Sequence, residues 1–402
     1  MYTVFTFRLR PTVRQAQALG DMLRDHCSLY NGALQERREA YRHASKTNIK
    51  YADQSAQLKE IRAFDPDRQG RWSFSSQQAT LRRLDKAFAA FFRRAKAGLT
   101  PGYPRFKGVG HFDTVLFPRD GDGCRWDSTP RDRRTRVRLQ GVGHVRVHQH
   151  RPVRGRVKTI SVKREGKHWY VVLACDQVPR EPLPANGSII GIDMGVTHFL
   201  TTSNGEHFEN PRYLDASADA LAVAQQHLST FPKRTRLRSK KHRAAVRKVA
   251  QLHGRIRRQR RDYHHKAAKE LIRGHGTIAH ERLNIAGMTR APKPRPDPDQ
   301  PGAFLPNGAA AKAGLNRRIL DAGWGKFLTI LAQKAESAAR RVVAVDARNT
   351  SRTCPRCGHV ARENRLTQAK FECTACGFLA NADHVGALNV LSGAGLVLCA
   401  EA

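Results

Sequence analysis

Acidic residues are scarce in this 402-residue chain: Asp and Glu number 34 against 72 Lys and Arg, a formal net charge of +38. Such a field repels cations and basic proteins and attracts polyanions, nucleic acid above all. No run of 18 apolar residues occurs, which excludes a helical membrane span. The first residues, MYTVFTFRLRPTVRQ, lack the apolar stretch and small-residue cleavage site of a secretory signal. Solenoid-type internal repeats are also missing. Apolar residues still make up 40% of the chain, enough for a real core at a length that suits two or three domains.

Cysteine is sparse but not random. Cys27, Cys124, Cys175 and Cys399 stand alone, whereas Cys354, Cys357, Cys373 and Cys376 form two C-x2-C pairs 15 residues apart. A disulfide framework belongs to small secreted chains. This spacing instead matches a tetrahedral zinc ribbon, with Gly358 and Gly377 allowing the turn after each pair. Four protein ligands leave zinc no open position, so the site is expected to be structural. The lone cysteines read as small buried apolar residues. Arg352, Arg356, Arg362, Arg365 and Lys370 around the pairs fit either a phosphate contact or a solvated basic surface.

Along the chain, residues 1–10 alternate like a strand, and Pro11-Thr12 opens a helical stretch. A second helical segment, Gln77 to Lys96, sets Leu81, Leu84, Ala87, Phe88 and Phe91 on one stripe. Residues 112–178 read as strands, with a hairpin turning at Glu165-Gly166-Lys167. A boundary follows at PREPLPANG, then a buried strand, SIIGIDMG, and its hairpin partner HFLTT. Lys233 to Arg273 holds 17 Lys or Arg against Asp262 and Glu270 and predicts one long basic helix, with a break near Gly254. TIAHERL predicts a strand, residues 290–306 with six prolines a flexible loop, Leu315 to Arg341 an amphipathic helix, RVVAVDA a strand and Asp383 to Leu391 a short helix.

Three carboxylates sit at element ends: Asp193 in SIIGIDMG, Glu281 in TIAHE and Asp383 in NADHVGALNVL. Each has an ordinary reading as a turn residue, a strand-end charge or a first-turn helix acid. Together they fit a magnesium site, because hard oxygens hold Mg2+ and two ions about 4 Å apart can clamp both oxygens of a phosphodiester displacement. Spacing does not show that the three converge. Asp346 ends RVVAVD and reads as structural.

The ordered blocks SIIGIDMGVTHFLTTSNG, IAHERLNIAGM and NTSRTCPRCG through FECTACGFLANADHVGALNVL resemble the TnpB (OrfB) family of insertion sequences, kin of type V CRISPR effectors. The resemblance extends to FRLRPTVRQAQAL, LDKAFAAFFRRAKAG with GYPRFKG, and LNRRILDAGWGKFLTILAQKAE, and so runs nearly the full length. It implies an α/β fold plus accessory domains: a split RNase H-like (RuvC) nuclease core with an inserted zinc ribbon, an N-terminal helical bundle and a small β-barrel-like region. The expected boundaries are 1–10 for the first strand of the barrel-like (wedge) region, 11–105 for the helical recognition domain and 106–184 for the rest of the barrel-like region. The nuclease core follows at 185–350, the zinc ribbon at 351–380 and the last RuvC block with the tail at 381–402.

Matched by motif, Asp193, Glu281 and Asp383 are the three acids of the family, all intact, and would bind Mg (or Mn) as catalytic residues. The chain departs from the family at His280, usually apolar, at Arg282, where an acid is common, and at Gly386, usually Ala. The implied activity is RNA-guided, Mg-dependent cutting of DNA at a single RuvC site, promoting transposon retention. Its partners would be a guide RNA from the transposon end and target double-stranded DNA, with no membrane, in the bacterial cytoplasm on the nucleoid. Candidate nucleic-acid contacts are Tyr103, Arg105, Phe106 and Lys107, where the aromatics stack bases or pack inward, then Lys240, Lys241, Arg243, Arg247 and Arg258 of the basic helix, and Arg282. The alternatives are a catalytically silent RNA-guided repressor or regulator of transposition, against which the intact acids argue, and a plain zinc-ribbon RNA-binding protein.

Overall fold

The first strand, β1 (Thr3–Arg10), buries Phe5, Phe7 and Leu9 and turns Val4, Arg8 and Arg10 to solvent, as its two-residue period requires. A computed structural model describes residues 1–108, 110–127, 134–232, 239–300 and 302–395. The chain divides into two compact units, Met1–Pro179 and the portion from Arg180 onward.

In the first unit α1 (Val13–Arg42) begins at a reciprocal cap: Gln15 N–H donates to Thr12 Oγ1 and Thr12 N–H to Gln15 Oε1. Helices α2 (Tyr51–Ala56), α3 (Leu58–Phe64) and α4 (Phe74–Lys96) complete the bundle. The strands are β2 (Thr114–Phe117), β3 (Cys124–Arg125), β4 (Arg136–Leu139), β5 (Gly143–His148), β6 (Arg156–Glu165) and β7 (His168–Asp176). They join β1 in a seven-stranded sheet of order β2-β6-β7-β1-β5-β4-β3, all antiparallel. One apolar core fills the unit, from Phe5 and Phe7 of β1 through Leu19 and Met22 of α1 to Val171 and Leu173 of β7.

The second unit is built on β8 (Ile189–Met194), β9 (His198–Thr202), β10 (His207–Glu209), β11 (Thr277–Glu281) and β14 (Arg341–Val345). Between β10 and β11 lie α5 (Ala218–Ser229) and α6 (Lys240–Gly274). Between β11 and β14 come α7 (Ile285–Met288), β12 (Arg295–Pro296), β13 (Phe304–Leu305), α8 (Ala309–Ala322) and α9 (Trp324–Ser337). The ribbon strands β15 (Lys370–Glu372) and β16 (Leu379–Asn381) and the helix α10 (Ala382–Gly393) close the described chain. The main sheet runs β10-β9-β8-β11-β14. Its first three strands pair antiparallel, whereas β8, β11 and β14 run parallel.

Alternation sorts the two faces of this sheet. Ile190, Ile192 and Ile278 enter a core with Ala268 and Leu271 of α6 and Phe327 and Leu331 of α9. Gly191, Asp193, Ala279 and Glu281 belong to the opposite face, where α10 packs through Val390.

Three expectations are corrected. The basic helix is unbroken across Gly254, which is buried within α6. The single helix Leu315–Arg341 is two, because Gly323 adopts φ +70° and caps α8 through its N–H to the Ile319 carbonyl. The proline-rich stretch carries the β12–β13 pair, since proline's fixed φ is compatible with short, exposed strands. The segment Lys233–Arg238 and the lone Cys399 lie outside the described residues.

Candidate functional site

The parallel pairing of β11 with β8 sets Ala279 opposite Gly191 and brings the carboxyl-terminal ends of both strands to one edge of the sheet. Asp193 and Glu281 emerge there, two residues on from Gly191 and Ala279 on the face toward α10. Asp383 arrives from the first turn of α10, whose start is fixed by Asn381: its Oδ1 accepts the N–H groups of Asp383 at 2.9 Å and His384 at 3.2 Å. Two glycines let the helix come this close. A Cβ on Gly191 would lie 2.3 Å from the Ala387 carbonyl oxygen, and one on Gly386 would lie 2.9 Å from Asp193 Oδ2. The departure at Gly386 therefore gives space to the Asp193 carboxylate.

The electrostatics of the cluster follow from this crowding. Burial, with the charges of Glu281 and Asp383, pushes Asp193 up to about 7. Burial also raises Glu281, opposed by the hydrogen bond from Thr350 Oγ1 and by Arg365. The Arg365 guanidinium stands 3.7 Å from Asp383 Oδ1. Thr350 is held in turn by Asn389 of α10, whose Nδ2 donates to the Thr350 and Thr353 carbonyls at 2.7 Å each. Sequence reasoning missed Thr350 and Asn389 and took Arg365 only as a basic neighbour of the ribbon. No local pattern marks them, because their partners are 18 to 69 residues away.

A 2+ charge would relieve the repulsion among three such carboxylates, although among the described residues only the four ribbon cysteines gather their ligand atoms within 4.8 Å of one another. Asp346 is exposed and accepts the Arg348 N–H at 3.1 Å. Arg282 is exposed too, and the guanidinium that favours ionised Glu281 is Arg365 instead.

The second cluster is the cysteine ribbon. The ligand sulfurs of Cys354, Cys357, Cys373 and Cys376 all lie within 4.8 Å of one another. Cys354 and Cys376 sulfurs are 3.7 Å apart, and those of Cys357 and Cys373 3.6 Å. A disulfide would need about 2.0 Å. A tetrahedron with zinc–sulfur bonds of about 2.3 Å has edges of about 3.8 Å. The four sulfurs thus fit a zinc ion. Gly358 and Gly377 take φ +75° and +68°, and each donates its N–H to the first cysteine's carbonyl, Cys354 and Cys373, at 2.9 Å. Burial raises the Cys373 thiol, but the backbone amides of Cys376 and Ala375 and the thiols of Cys357 and Cys376 outweigh it and bring it to about 6, toward the thiolate that metal needs. Cys27, Cys124 and Cys175 are buried free thiols.

The candidate nucleic-acid contacts are spread over both units. On α6, Lys240, Lys241, Arg243, Arg247 and Arg258 are all exposed. In the first unit Arg105 is exposed and Phe106 is 45% exposed. Tyr103 packs edge-on against Phe88 and Phe91 of α4 while remaining 44% exposed. Lys107 is tied to α1 by its backbone, donating to Asn31 Oδ1 at 2.8 Å and accepting from Asn31 Nδ2 at 2.9 Å. No helix among the described residues is long and apolar enough to cross a membrane.

Comparison with known proteins identifies the family. The chain is 32% identical over 399 residues to the Escherichia coli K12 protein InsQ, named an RNA-guided DNA endonuclease, and the match covers 99% of this chain and 94% of that protein. This chain belongs to the TnpB (OrfB) family. A family model described as a transposase, OrfB_IS605, matches residues 161–291, and one described as the Cas12f1-like TNB domain matches residues 324–390, which include the ribbon. A Streptomyces pristinaespiralis protein, also named an RNA-guided DNA endonuclease, is 29% identical over 98% of this chain and 90% of its own length. The CRISPR-associated endodeoxyribonuclease Cas12f1 of Sulfoacidibacillus thermotolerans is 46% identical over 57 residues, 14% of each chain.

Proposed function

We propose that this TnpB-family chain is an RNA-guided DNA endonuclease of a transposable element, cutting at a single RuvC-type site. The observation that carries the reading is the convergence of Asp193, Glu281 and Asp383 from β8, β11 and α10 at one edge of a mixed sheet. The order of that sheet, three antiparallel strands followed by two parallel ones, supports an RNase H-like core split by the ribbon. Magnesium, or manganese in its place, held by the three carboxylates would activate water and stabilise the leaving 3′ oxygen. Thr350 orients the Glu281 carboxylate, and Arg365 offsets negative charge at Asp383. The exposed cations of α6 bind phosphates without reading sequence, while base pairing with a guide RNA from the transposon end selects the duplex DNA target. Tyr103, Arg105, Phe106, Lys107 and Arg282 are further contact candidates. Cutting the emptied donor site would favour retention of the transposon, and the work would take place on the bacterial nucleoid.

The test is cleavage of a plasmid carrying a guide-matched target beside a randomised flank, by protein co-expressed with its element's end. Wild type is expected to cut with Mg2+ and not with EDTA, and Asp193→Ala to bind the target without cutting. Guide-dependent binding with no cutting by wild type in any condition would overturn the nuclease reading in favour of a repressor.

A further inference from the structure

Between the two cysteine pairs lies Asn364, 0% exposed. A side-chain amide has two N–H donors and an oxygen with two lone pairs, and here all four are used. Nδ2 donates to the carbonyls of Arg352 at 2.9 Å and His359 at 3.1 Å. Oδ1 accepts the Thr374 N–H at 2.9 Å and the Thr374 hydroxyl at 3.0 Å. Arg352 and His359 flank the Cys354–Cys357 pair, and Thr374 lies inside the Cys373–Cys376 pair. The His359 carbonyl also accepts the Cys354 N–H, at 2.9 Å. The backbone of Asn364 adds a third link, its carbonyl accepting the Glu372 N–H at 2.8 Å. One amide group therefore grips each cysteine turn at one end.

We propose that Asn364 is the positioning residue for zinc, a strut that holds the two cysteine turns at ligation distance. The need for one is physical. Four thiolates gathered within 4.8 Å repel one another before a cation binds. The apolar core here is small, with Phe371, Ala382 and Val385 packed beside Cys354 and Cys373. Closing the intervening loop also costs chain entropy. A fully satisfied buried amide offsets these costs without metal, because the Asn364 side chain, itself wholly buried, would be left unpaired if the two turns parted. The strut binds neither zinc nor substrate; it acts through the backbone that carries the ligands.

The test uses the full-length zinc-loaded protein and reads the metal, not the nuclease, so its failure is separable from failure of the cleavage reading. Zinc affinity is measured by competition with a chromophoric chelator, and ligand geometry by the thiolate charge-transfer and ligand-field bands of the cobalt(II) form. Partners that orient metal ligands typically contribute about 10- to 100-fold in affinity. Asn364→Ala is expected to weaken zinc by that factor and to alter the cobalt spectrum. Thr374→Val, which removes a single hydroxyl bond, is expected to weaken it a few-fold. Leu331→Ala is the control, a buried change in the core of the main sheet, outside the ribbon, that lowers thermal stability and leaves the zinc affinity within about twofold. If Asn364→Ala does not fold, Thr374→Val against Leu331→Ala decides. Unchanged zinc affinity in the Asn364 and Thr374 variants, or an equal loss in Leu331→Ala, overturns the proposal.

Discussion

Adding one methyl group at Gly191 tests whether the close approach of α10 to β8 builds the acid cluster. The ideal Cβ falls 2.3 Å from the Ala387 carbonyl oxygen and 2.9 Å from Leu391 Cβ, where ordinary contact begins at 3.4 Å. The obstruction is helix backbone, which no side-chain rotation relieves. Helix α10 must retreat by about 1 Å, taking Asp383 away from Asp193. Overpacking of this kind costs about 1–3 kcal/mol of stability. A displacement of about 1 Å at reacting groups costs on the order of 100-fold in rate. The assay compares Gly191→Ala with wild type in single-turnover plasmid cleavage, in guide-dependent target binding and in thermal unfolding. The expected pattern is a rate lower by about 100-fold, a modestly lower melting temperature and retained binding. Cleavage within twofold of wild type would refute the argument, because it would mean that the spacing between α10 and β8 does not set the geometry of the acids.

Thr350→Val keeps the side-chain volume but removes the hydroxyl that donates to Glu281. A hydrogen bond to a charged group contributes about 1.5–3 kcal/mol, so cleavage is expected to slow by about 10- to 100-fold with target binding unchanged; an unaltered rate would exclude the role. Cys357→Ser is expected to release zinc at lower chelator concentration and to lower the melting temperature of the second unit, with the first unit's transition unmoved, as differential calorimetry can check. His26 is fully buried between the Met22 carbonyl and Ser76 Oγ, and burial lowers its pKa from 6.5 to about 4, against the raising effects of the Met22 bond and Asp25. The neutral form is the native one. Its contribution is complete above pH 6.5 and is lost as pH falls toward 4, because the unfolded chain takes up the proton first. The loss amounts to about 3 kcal/mol, measurable as the pH slope of urea unfolding, and a His26→Leu variant with an equally steep slope would exclude it.

Local rules account for much of this molecule. The two-residue period of TVFTFRLR marks β1, and Glu165-Gly166-Lys167 marks the turn between β6 and β7, because side-chain direction and turn conformation are short-range properties. The cysteine spacing predicts a four-sulfur cluster because each C-x2-C turn is itself local. Charge composition points to a polyanionic partner for the same reason that it needs no fold: the field depends on the sum.

Other features depend on which distant segments meet. Asp193, Glu281 and Asp383 are separated by 88 and 102 positions, and nothing in the periodicity of any one segment aligns them. Resemblance to the family supplied the grouping in advance; the proximity itself comes from parallel pairing of β8 with β11 and from the room left at Gly191 and Gly386. Thr350, Asn389 and Arg365 are ordinary residues by composition, and their partners are chosen by backbone geometry. The helical breaks went the same way. Gly254 and Gly323 look alike in sequence, yet Gly254 stays helical within α6, while Gly323 turns left-handed beside Arg260 and His264, where an added Cβ would come within 3.2 Å of both side chains. Glycine permits either conformation at nearly equal cost, so packing selects between them.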